Sequence, residues 1–402
     1  MKKISLSLTL LAATGLFVAA CSDDDNNTTT NNDTAKAAVI ENYANIVYAN
    51  YKAAYDDAVE LKTAINAFTA TPTDPNFTVA KTKWKESRES YGTTEAFRFA
   101  NGPIDNEDGN FEAPEGLINS WPLDENYIDY VMNTETNTVV NGGIINNAGL
   151  YPNITKEVLA NLNGADSEAS ISVGYHAIEF LLWGQDLTAP IENKPGQRVY
   201  TDYVDNGTTA DNEARRRQYL NVCADLLVDN LDYLVQEWKP GGSYRSTFLA
   251  LDKNVALANM YLGIITLSDS ELPTERMMVA LLNQSQEDEH SCFSDNTHRD
   301  IALNLQGVIN VYQGKYGSIE GPSLQSLVQS VNGDVAGSTN DALTDAKTKV
   351  AAIMIPFDLA IANGQTSTEG AKVKAAADEI RIVSQNLLAG AGALGIVVNG
   401  IE

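Results

Sequence analysis

The residues best suited to chemistry are a histidine and a glutamate in an otherwise apolar stretch. His176 and Glu179 lie within residues 174–186, GYHAIEFLLWGQD, a segment whose composition predicts a helix. Side chains three positions apart share one helical face, so the imidazole and the carboxylate are expected to point into the same space. Such a pair can bind iron, zinc or manganese. The alternative is a buried histidine hydrogen-bonded to its neighbour, because a single four-residue match has low specificity.

A second cluster is a stripe of charged and aromatic residues upstream of this pair. Arg88, Tyr91, Glu95 and Arg98 follow one another at intervals of three and four, so a helix would place them on one face. A stripe of this kind is commonly a solvated surface with ion pairs along the helix. The spacing alone does not separate that interpretation from a site that faces inward.

The third and fourth clusters lie in segments without helical periodicity. Residues 101–126 contain three prolines and three glycines, and a loop of this length is typically functional or disordered. Its apolar residues, including Trp121 and Leu123, indicate a loop packed against the protein. Residues 287–300 hold two of the three histidines, several carboxylates and a thiol. The alternative for that segment is a polar helix cap.

The elements that must position these clusters are almost all helices. Apolar residues recur at threes and fours from Val39 to Phe68, which predicts one long amphipathic helix. A second helix is predicted from Pro75 to about Ala100. Short β-branched runs at 138–140 and 396–398 are the candidate strands. The fold class is therefore all-α, as antiparallel bundles joined by short turns. Further long helices are predicted at about 212–238, 243–268, 343–362 and 369–388.

Chain length predicts two domains. About 370 residues follow the N-terminal segments, more than one core usually holds. The polar stretch at 188–212 is a natural boundary, so we expect one helical bundle at 36–200, carrying the histidine–glutamate pair, and a second at 201–402. The two halves could be a diverged duplication.

The N-terminus has the features of a bacterial lipoprotein. Residues 1–20 combine two lysines with an apolar stretch too short for a stable membrane span, which is typical of a signal peptide. The stretch ends in VAAC, so Cys21 is the expected lipidated residue, with ordinary cleavage and a free thiol as the alternative. Residues 21–35 lack large apolar side chains and are predicted to form a flexible tether. The acidic run 23–25 resembles a surface-export signal, and the expected location is the outer membrane, on either its periplasmic or its surface face.

Composition restricts the partners. The net charge of −26 disfavours nucleic acid and anionic membranes, which both require basic patches. Membrane contact is therefore expected only through Cys21, whereas the acidic surface suits attraction of cations. Cys223 and Cys292 are too few for a disulfide framework, and either a single bridge or two free thiols is consistent with the sequence.

Three blocks of sequence resemble one known family. Gly174, His176 and Glu179 match the Gly-x-His-x-x-Glu signature of the imelysin family, also called the M75 peptidase family. Residues 117–131 and 287–300 are similar to the branch of iron-regulated protein A. The blocks occur in family order, and the resemblance extends over nearly all of the chain after the signal peptide.

The resemblance implies two helical bundles with a functional site near their interface, in a bacterial envelope protein associated with iron uptake. His176 and Glu179 would be the site pair, with Glu95 as a further metal ligand. The remaining residues implied to contact a ligand are Arg98, Ser291, Asp295 and His298.

Motifs typical of hydrolases are missing. The zincin motif is absent, and its inverted form fails because Phe180 follows Glu179 where a second histidine is required. The nucleophile elbow, the phosphate loop and the Cys-x-x-Cys pair are absent as well. We therefore predict a non-enzymatic lipoprotein that binds iron, zinc or an iron-bearing ligand and passes it to an envelope transporter.

Two alternatives come from other classes of function. The first is a metal-dependent peptidase that uses Glu179 together with Glu95 or Asp295 as catalytic carboxylates. The second is a surface module that binds a peptide or glycan in a groove between the domains. Haem is a further candidate ligand, since His176, His290, His298 and the tyrosines are conceivable axial ligands.

Overall fold

A pair of long antiparallel helices begins the fold. The computed structural model describes residues 24–106, 112–205 and 210–400, so the predicted signal peptide and Cys21 lie outside the described residues. Helix α1 (Asp24–Ala70) packs along α2 (Asp74–Gly92) through the apolar face that its spacing predicts. Pro75 stands in the first turn of α2, where its missing N–H removes no helical hydrogen bond.

Two boundaries of this pair differ from prediction. Residues 24–35 have helical backbone where the sequence predicted a flexible tether, because a helix already nucleated in its apolar region extends at little cost. Helix α2 ends at Gly92 rather than near Ala100, and a 3₁₀ segment, Thr93–Phe97, follows. There the Thr93 hydroxyl donates to the Ser90 carbonyl oxygen, a local bond that competes with α-helical continuation.

Short elements occupy the region between α2 and the next long helix. A two-stranded hairpin pairs Val131 with Val140 and confirms the predicted strand at 138–140. The loop at 101–126 is packed down, as expected, with Ile118 fully buried. The elements are α3 (Glu115–Ile118), α4 (Glu125–Ile128), β1 (Val131–Asn133), β2 (Thr138–Val140), α5 (Gly143–Asn146), α6 (Lys156–Leu162) and α7 (Tyr175–Trp183).

Long helices return after residue 212. The predicted strand at 396–398 is wrong, because this segment has no strand pairing in the described chain and Ile396 packs into the core. The elements are α8 (Glu213–Trp238), α9 (Ser243–Ala250), α10 (Lys253–Thr266), α11 (Val279–Asn283), α12 (Thr297–Gln313), β3 (Lys315–Tyr316), β4 (Ile319–Glu320), α13 (Leu324–Val331), α14 (Gly333–Ala351), α15 (Phe357–Ile361) and α16 (Thr368–Ala393).

A π-helical segment, Leu267–Met278, joins α10 to α11. Pro273 lies inside it, and a proline removes one backbone donor from any helix. Such widened turns recur at functional sites, where they redirect side chains. Here the segment carries Arg276, which belongs to the network described below, and Glu271, which accepts a hydrogen bond from Arg276 at 2.9 Å.

The buried apolar side chains form one continuous core on both sides of residue 200. Helix α8 packs along α1, while α14, α16 and the π-helical segment pack together. The structure therefore places α8 with the N-terminal helices, although the predicted boundary assigns it to the second bundle. The division into two domains stays a prediction. No single helix in the described chain is long and apolar enough to cross a membrane. The segments Ser243–Ala250 and Lys253–Asn283 reach that length and apolar character only when taken together, and the chain bends sharply between them.

Candidate functional site

The His176–Glu179 pair lies in the first turns of α7 and is completely enclosed. His176 is 1% exposed and Glu179 is 0% exposed. Nδ1 of His176 lies 3.0 Å from Oε2 of Glu179, so the predicted same-face pairing is present. The other carboxylate oxygen accepts from the backbone N–H of Ser294 at 3.0 Å and from its hydroxyl at 2.7 Å. Glu179 thus links α7 to the segment before α12.

The glycine of the motif has a steric role. Gly174 precedes α7 with φ of +90°, a conformation that side-chain-bearing residues rarely adopt. A Cβ atom at this position would lie 2.6 Å from the carbonyl oxygen of Ile118. Glycine therefore lets the C-terminal end of α3 lie directly against the start of α7.

A second histidine–carboxylate pair lies beside the first. Nδ1 of His290 is 2.9 Å from Oδ2 of Asp300, and the Ser291 hydroxyl donates to the same oxygen at 2.5 Å. Oδ1 of Asp300 accepts from two nitrogens of Arg88, at 2.9 and 3.3 Å. All four side chains are buried.

The two imidazoles contact each other. Their ring centroids are 4.7 Å apart and their planes meet at 73°, an edge-to-face arrangement. Nε2 of His176 is buried and has no hydrogen-bond partner among the residues that the structure describes. Trp121, from the packed loop, also contacts His290, with ring centroids 5.9 Å apart. An unpartnered buried nitrogen is costly, which makes this atom a candidate for ligand contact.

A chain of buried polar residues extends from this pair. Nη1 of Arg88 donates to Oδ1 of Asn119 at 2.5 Å, and the amide of Asn119 donates to Glu95 at 3.3 Å. Glu95 also accepts from Arg276 at 2.6 Å. The network joins α2, the packed loop, the π-helical segment and α12, because Asp300 holds its other end.

The charges in the second pair are well defined. The Arg88 guanidinium and the hydrogen bonds from His290 and Ser291 overcome burial and hold the pKa of Asp300 far below its usual range. Burial, together with the positive charge of Arg276, lowers the pKa of His290 to about 3. His290 is therefore a neutral imidazole that donates from Nδ1 to an ionised carboxylate. Its Nε2 carries a lone pair.

The first pair shares its protons differently. Burial lowers the pKa of His176 to about 3 and raises the pKa of Glu179 to about 8, although Ser294 opposes the latter shift. Near neutral pH Glu179 is protonated and donates to Nδ1 of His176, which leaves the proton of the neutral imidazole on Nε2. Ionisation of Glu179 reverses this bond and frees the Nε2 lone pair.

The donor set does not complete a metal site from protein atoms alone. Among the described residues, no group of three or more histidine, cysteine, aspartate or glutamate side chains is arranged to hold a metal ion. Glu179 and Asp300 are engaged by the histidines and serines, and Glu95 is paired with Arg276. The two Nε2 atoms remain, fewer than the three or four ligands of typical protein zinc sites. In this arrangement a metal ion would need further donors from outside the protein.

The serines of the site are not arranged as nucleophiles. The Ser291 and Ser294 hydroxyls donate to Asp300 and Glu179 respectively. A serine nucleophile instead donates to an imidazole nitrogen that acts as its base. The arrangement observed here orients carboxylates and histidines.

The predicted site residues are only partly brought together. Glu95 belongs to the network, and Arg98 lies at its edge, 3.5 Å from Glu95. Asp295 precedes α12 and His298 lies in its first turn, and Nδ1 of His298 is 3.2 Å from the Asp295 carbonyl oxygen. The structure adds five residues to the site that the sequence did not predict as ligand contacts: Arg88, Asn119, Arg276, His290 and Asp300. Most of them belong to the charged stripe or to the segment 287–300, which the sequence had already singled out.

Comparisons with known proteins agree with the helical architecture. The family described as imelysin, peptidase M75, matches residues 47–384. Iron-regulated protein A from Synechococcus elongatus is 25% identical over 330 residues, which cover 79% of this chain and 76% of that protein. Among solved structures, one from Parabacteroides distasonis, described as a candidate iron-regulated protein A precursor, superposes with a TM-score of 0.66 at 17% identity, covering 89% of this chain and 95% of that one. An imelysin-like protein from Psychrobacter arcticum gives a TM-score of 0.65 at 14% identity, with 92% and 98% coverage.

Proposed function

The chain belongs to the imelysin family, and from this membership we propose that it captures an iron-bearing small ligand at the His176–His290 pair. The relative from Synechococcus elongatus has the name iron-regulated protein A, which supports an association with iron. The proposal concerns binding and transfer rather than chemical conversion of the ligand.

The observation that carries the proposal is the pairing of each imidazole with its own carboxylate. Nδ1 of His176 contacts Glu179, and Nδ1 of His290 contacts Asp300. Metal-binding histidines are typically oriented in this way, with the second ring nitrogen left for the metal. Both rings are neutral near pH 7, so His290 offers its Nε2 lone pair directly, whereas His176 offers its own once Glu179 has lost a proton.

The shortage of protein ligands favours a chelated ion over a bare one. Two imidazole nitrogens leave most positions of an iron ion to other donors, and a small chelator supplies them from its own oxygens. The site is closed in this structure, since both rings are buried and in contact. Entry of a ligand must therefore separate the rings, and the neighbouring Trp121 loop is the segment beside them.

The test is a calorimetric titration of the purified, untagged protein with ferric citrate and, separately, with zinc chloride. We expect ferric citrate to bind with one-to-one stoichiometry and zinc to bind more weakly. His176→Ala and His290→Ala each remove one nitrogen donor and should weaken ferric citrate binding by at least about tenfold.

His298→Ala is the matched control, because His298 is outside the paired imidazoles and bonds to a backbone carbonyl. It should bind ferric citrate as tightly as the parent protein. Equal binding by the parent and by a His176→Ala/His290→Ala double variant would refute the site. If the protein binds one zinc ion but no ferric citrate, and the histidine substitutions abolish zinc binding, the ligand is a bare metal ion and not an iron chelate.

We further propose attachment to the cell envelope through a lipidated Cys21, on the outer membrane, with transfer of the iron ligand to an envelope transporter. The sequence VAAC before the acidic segment supports this location. Growth with radiolabelled palmitate should label the parent protein and leave a Cys21→Ser variant unlabelled. If the Cys21→Ser variant still incorporated the label, Cys21 would not be the site of lipid attachment.

A further inference from the structure

An apolar cavity lies between α12, α14 and the segment that follows α14. Its volume is about 390 Å³, within the range of small-molecule pockets. Leu305 and Ile309 from α12 line it together with Val350 and Ile353. His298, a residue that the family resemblance implied for the ligand site, lines this cavity instead of contacting His176.

The charges around this apolar cavity have one sign. Among the described residues that line it, the permanently charged side chains are Arg299 and Lys347, and no carboxylate is present. Arg299 forms a two-bond contact with Glu89 at 2.8 and 2.6 Å, so its charge is compensated. Lys347 contacts the amide oxygen of Gln306 at 3.3 Å and has no carboxylate partner within the described chain. Lys347 is exposed at the rim of the apolar cavity, so its ammonium group is available to an anionic group of a ligand.

We propose that this cavity binds a small amphipathic carboxylate, with an aliphatic body between α12 and α14 and its anionic group at Lys347. The apolar lining provides the area for a hydrocarbon body, and the lysine provides the opposite charge. This site is independent of the paired histidines, and it is supported by different residues.

The experiment titrates the full protein with octanoate by calorimetry and repeats the titration with octan-1-ol, which has the same body without the charge. Octanoate is expected to bind one-to-one and more tightly than octan-1-ol. Lys347→Gln removes the cation and should weaken octanoate binding by about tenfold while leaving octan-1-ol unchanged. Lys239→Gln is the matched control, because Lys239 is also exposed and also contacts a glutamine amide oxygen, that of Gln236. It should leave both affinities unchanged.

Ala302→Phe fills the cavity from α12 and should abolish binding of both compounds. Lys347→Gln alters a surface group only, so it tests the proposal even where the filled variant fails to fold. Octanoate binding that neither substitution changes would overturn the proposal. A second result would also overturn the proposal. If the parent protein binds no octanoate but self-associates in sedimentation experiments, and Ala302→Phe abolishes that self-association, the occupant of the cavity is a second copy of the chain.

Discussion

His176 and His290 meet edge to face with ring centroids 4.7 Å apart, although they come from α7 and from the loop before α12. Each ring is held at Nδ1 by a carboxylate, Glu179 or Asp300. The two carboxylates differ in protonation, since burial raises the pKa of Glu179 to about 8 whereas Arg88 keeps Asp300 ionised. Near neutral pH the Nε2 lone pair of His290 is therefore available to a ligand, whereas that of His176 becomes available only when Glu179 loses its proton.

Binding of ferric citrate should strengthen as pH rises toward about 8 and then level off. Below that pKa, Glu179 is protonated and Nε2 of His176 keeps its proton, so binding must release a proton. The expected gain is about tenfold in affinity per pH unit. Calorimetry across this range checks it, with His176→Ala as a control for titration of the chelate itself. A Glu179→Gln variant should lose the dependence, and retention of the same slope would contradict the role of Glu179.

His290 should make the fold sensitive to acid. Its pKa is about 3 in the folded protein, compared with an ordinary value of 6.5, so the folded state binds fewer protons than the unfolded state in this range. Stability is therefore present above pH 6.5 and is lost as pH falls toward 3. Linkage predicts a loss of about 2 kcal/mol from this group between about pH 7 and about pH 5.

Urea denaturation at both pH values measures this loss. His290→Gln cannot titrate, and its free energy of unfolding should fall less on acidification than that of the parent protein, by about the same 2 kcal/mol. Comparison of the two proteins cancels the contributions of other groups, including Glu179, whose raised pKa acts in the opposite direction. His298→Gln is the control at a partly buried ring. Equal pH dependence in parent and His290→Gln would show that the pKa of His290 is the same in the folded and unfolded states.

Two ion pairs that connect the same helices should differ sharply in their effect on stability. Arg88–Asp300 is buried and Arg299–Glu89 is exposed, and each joins α2 to α12. Arg88→Met leaves a buried carboxylate without its cation and should cost about 3–5 kcal/mol. Glu89→Gln breaks the exposed pair and should cost about 0–1 kcal/mol. Chemical denaturation distinguishes them, and similar losses for the two substitutions would contradict the burial argument.

The motif glycine should tolerate no side chain. Gly174→Ala combines a positive φ with a 2.6 Å approach to the Ile118 carbonyl, so a loss of about 2–5 kcal/mol is expected. Gly164→Ala is the control, because Gly164 has φ of +70° with no atom within 4 Å of the added Cβ. It should cost only the backbone strain, about 1–2 kcal/mol. Equal losses in thermal or chemical denaturation would remove the steric role of the Ile118 contact.

Trp121 should report ligand entry. It is half-buried and contacts His290, whereas the other three tryptophans are at most 3% exposed. Separation of the histidine rings by ferric citrate changes the surroundings of Trp121, so the intrinsic fluorescence should change on binding. Trp121→Phe should bind with a much smaller fluorescence change. A full change in that variant would locate the response at another tryptophan.

Several features followed from sequence alone because they depend on local spacing. Helical periodicity predicted the all-α class and most long helices, and the strand at 138–140 was confirmed. The three-residue interval between His176 and Glu179 placed both on one face before any fold was known. The strand predicted at 396–398 was wrong, because pairing needs a neighbouring strand that local sequence does not specify.

The rest was decided by contacts between segments distant in the chain. No local pattern distinguishes the stripe at Arg88 from a solvated face, and burial against Asp300 makes it part of the site. Likewise, His298 and His290 are both near carboxylates in sequence, but only His290 packs against His176. Sequence therefore determined which residues can share a helical face, whereas tertiary packing determined which of those faces are buried together. Burial and long-range pairing then set the pKa values on which binding depends.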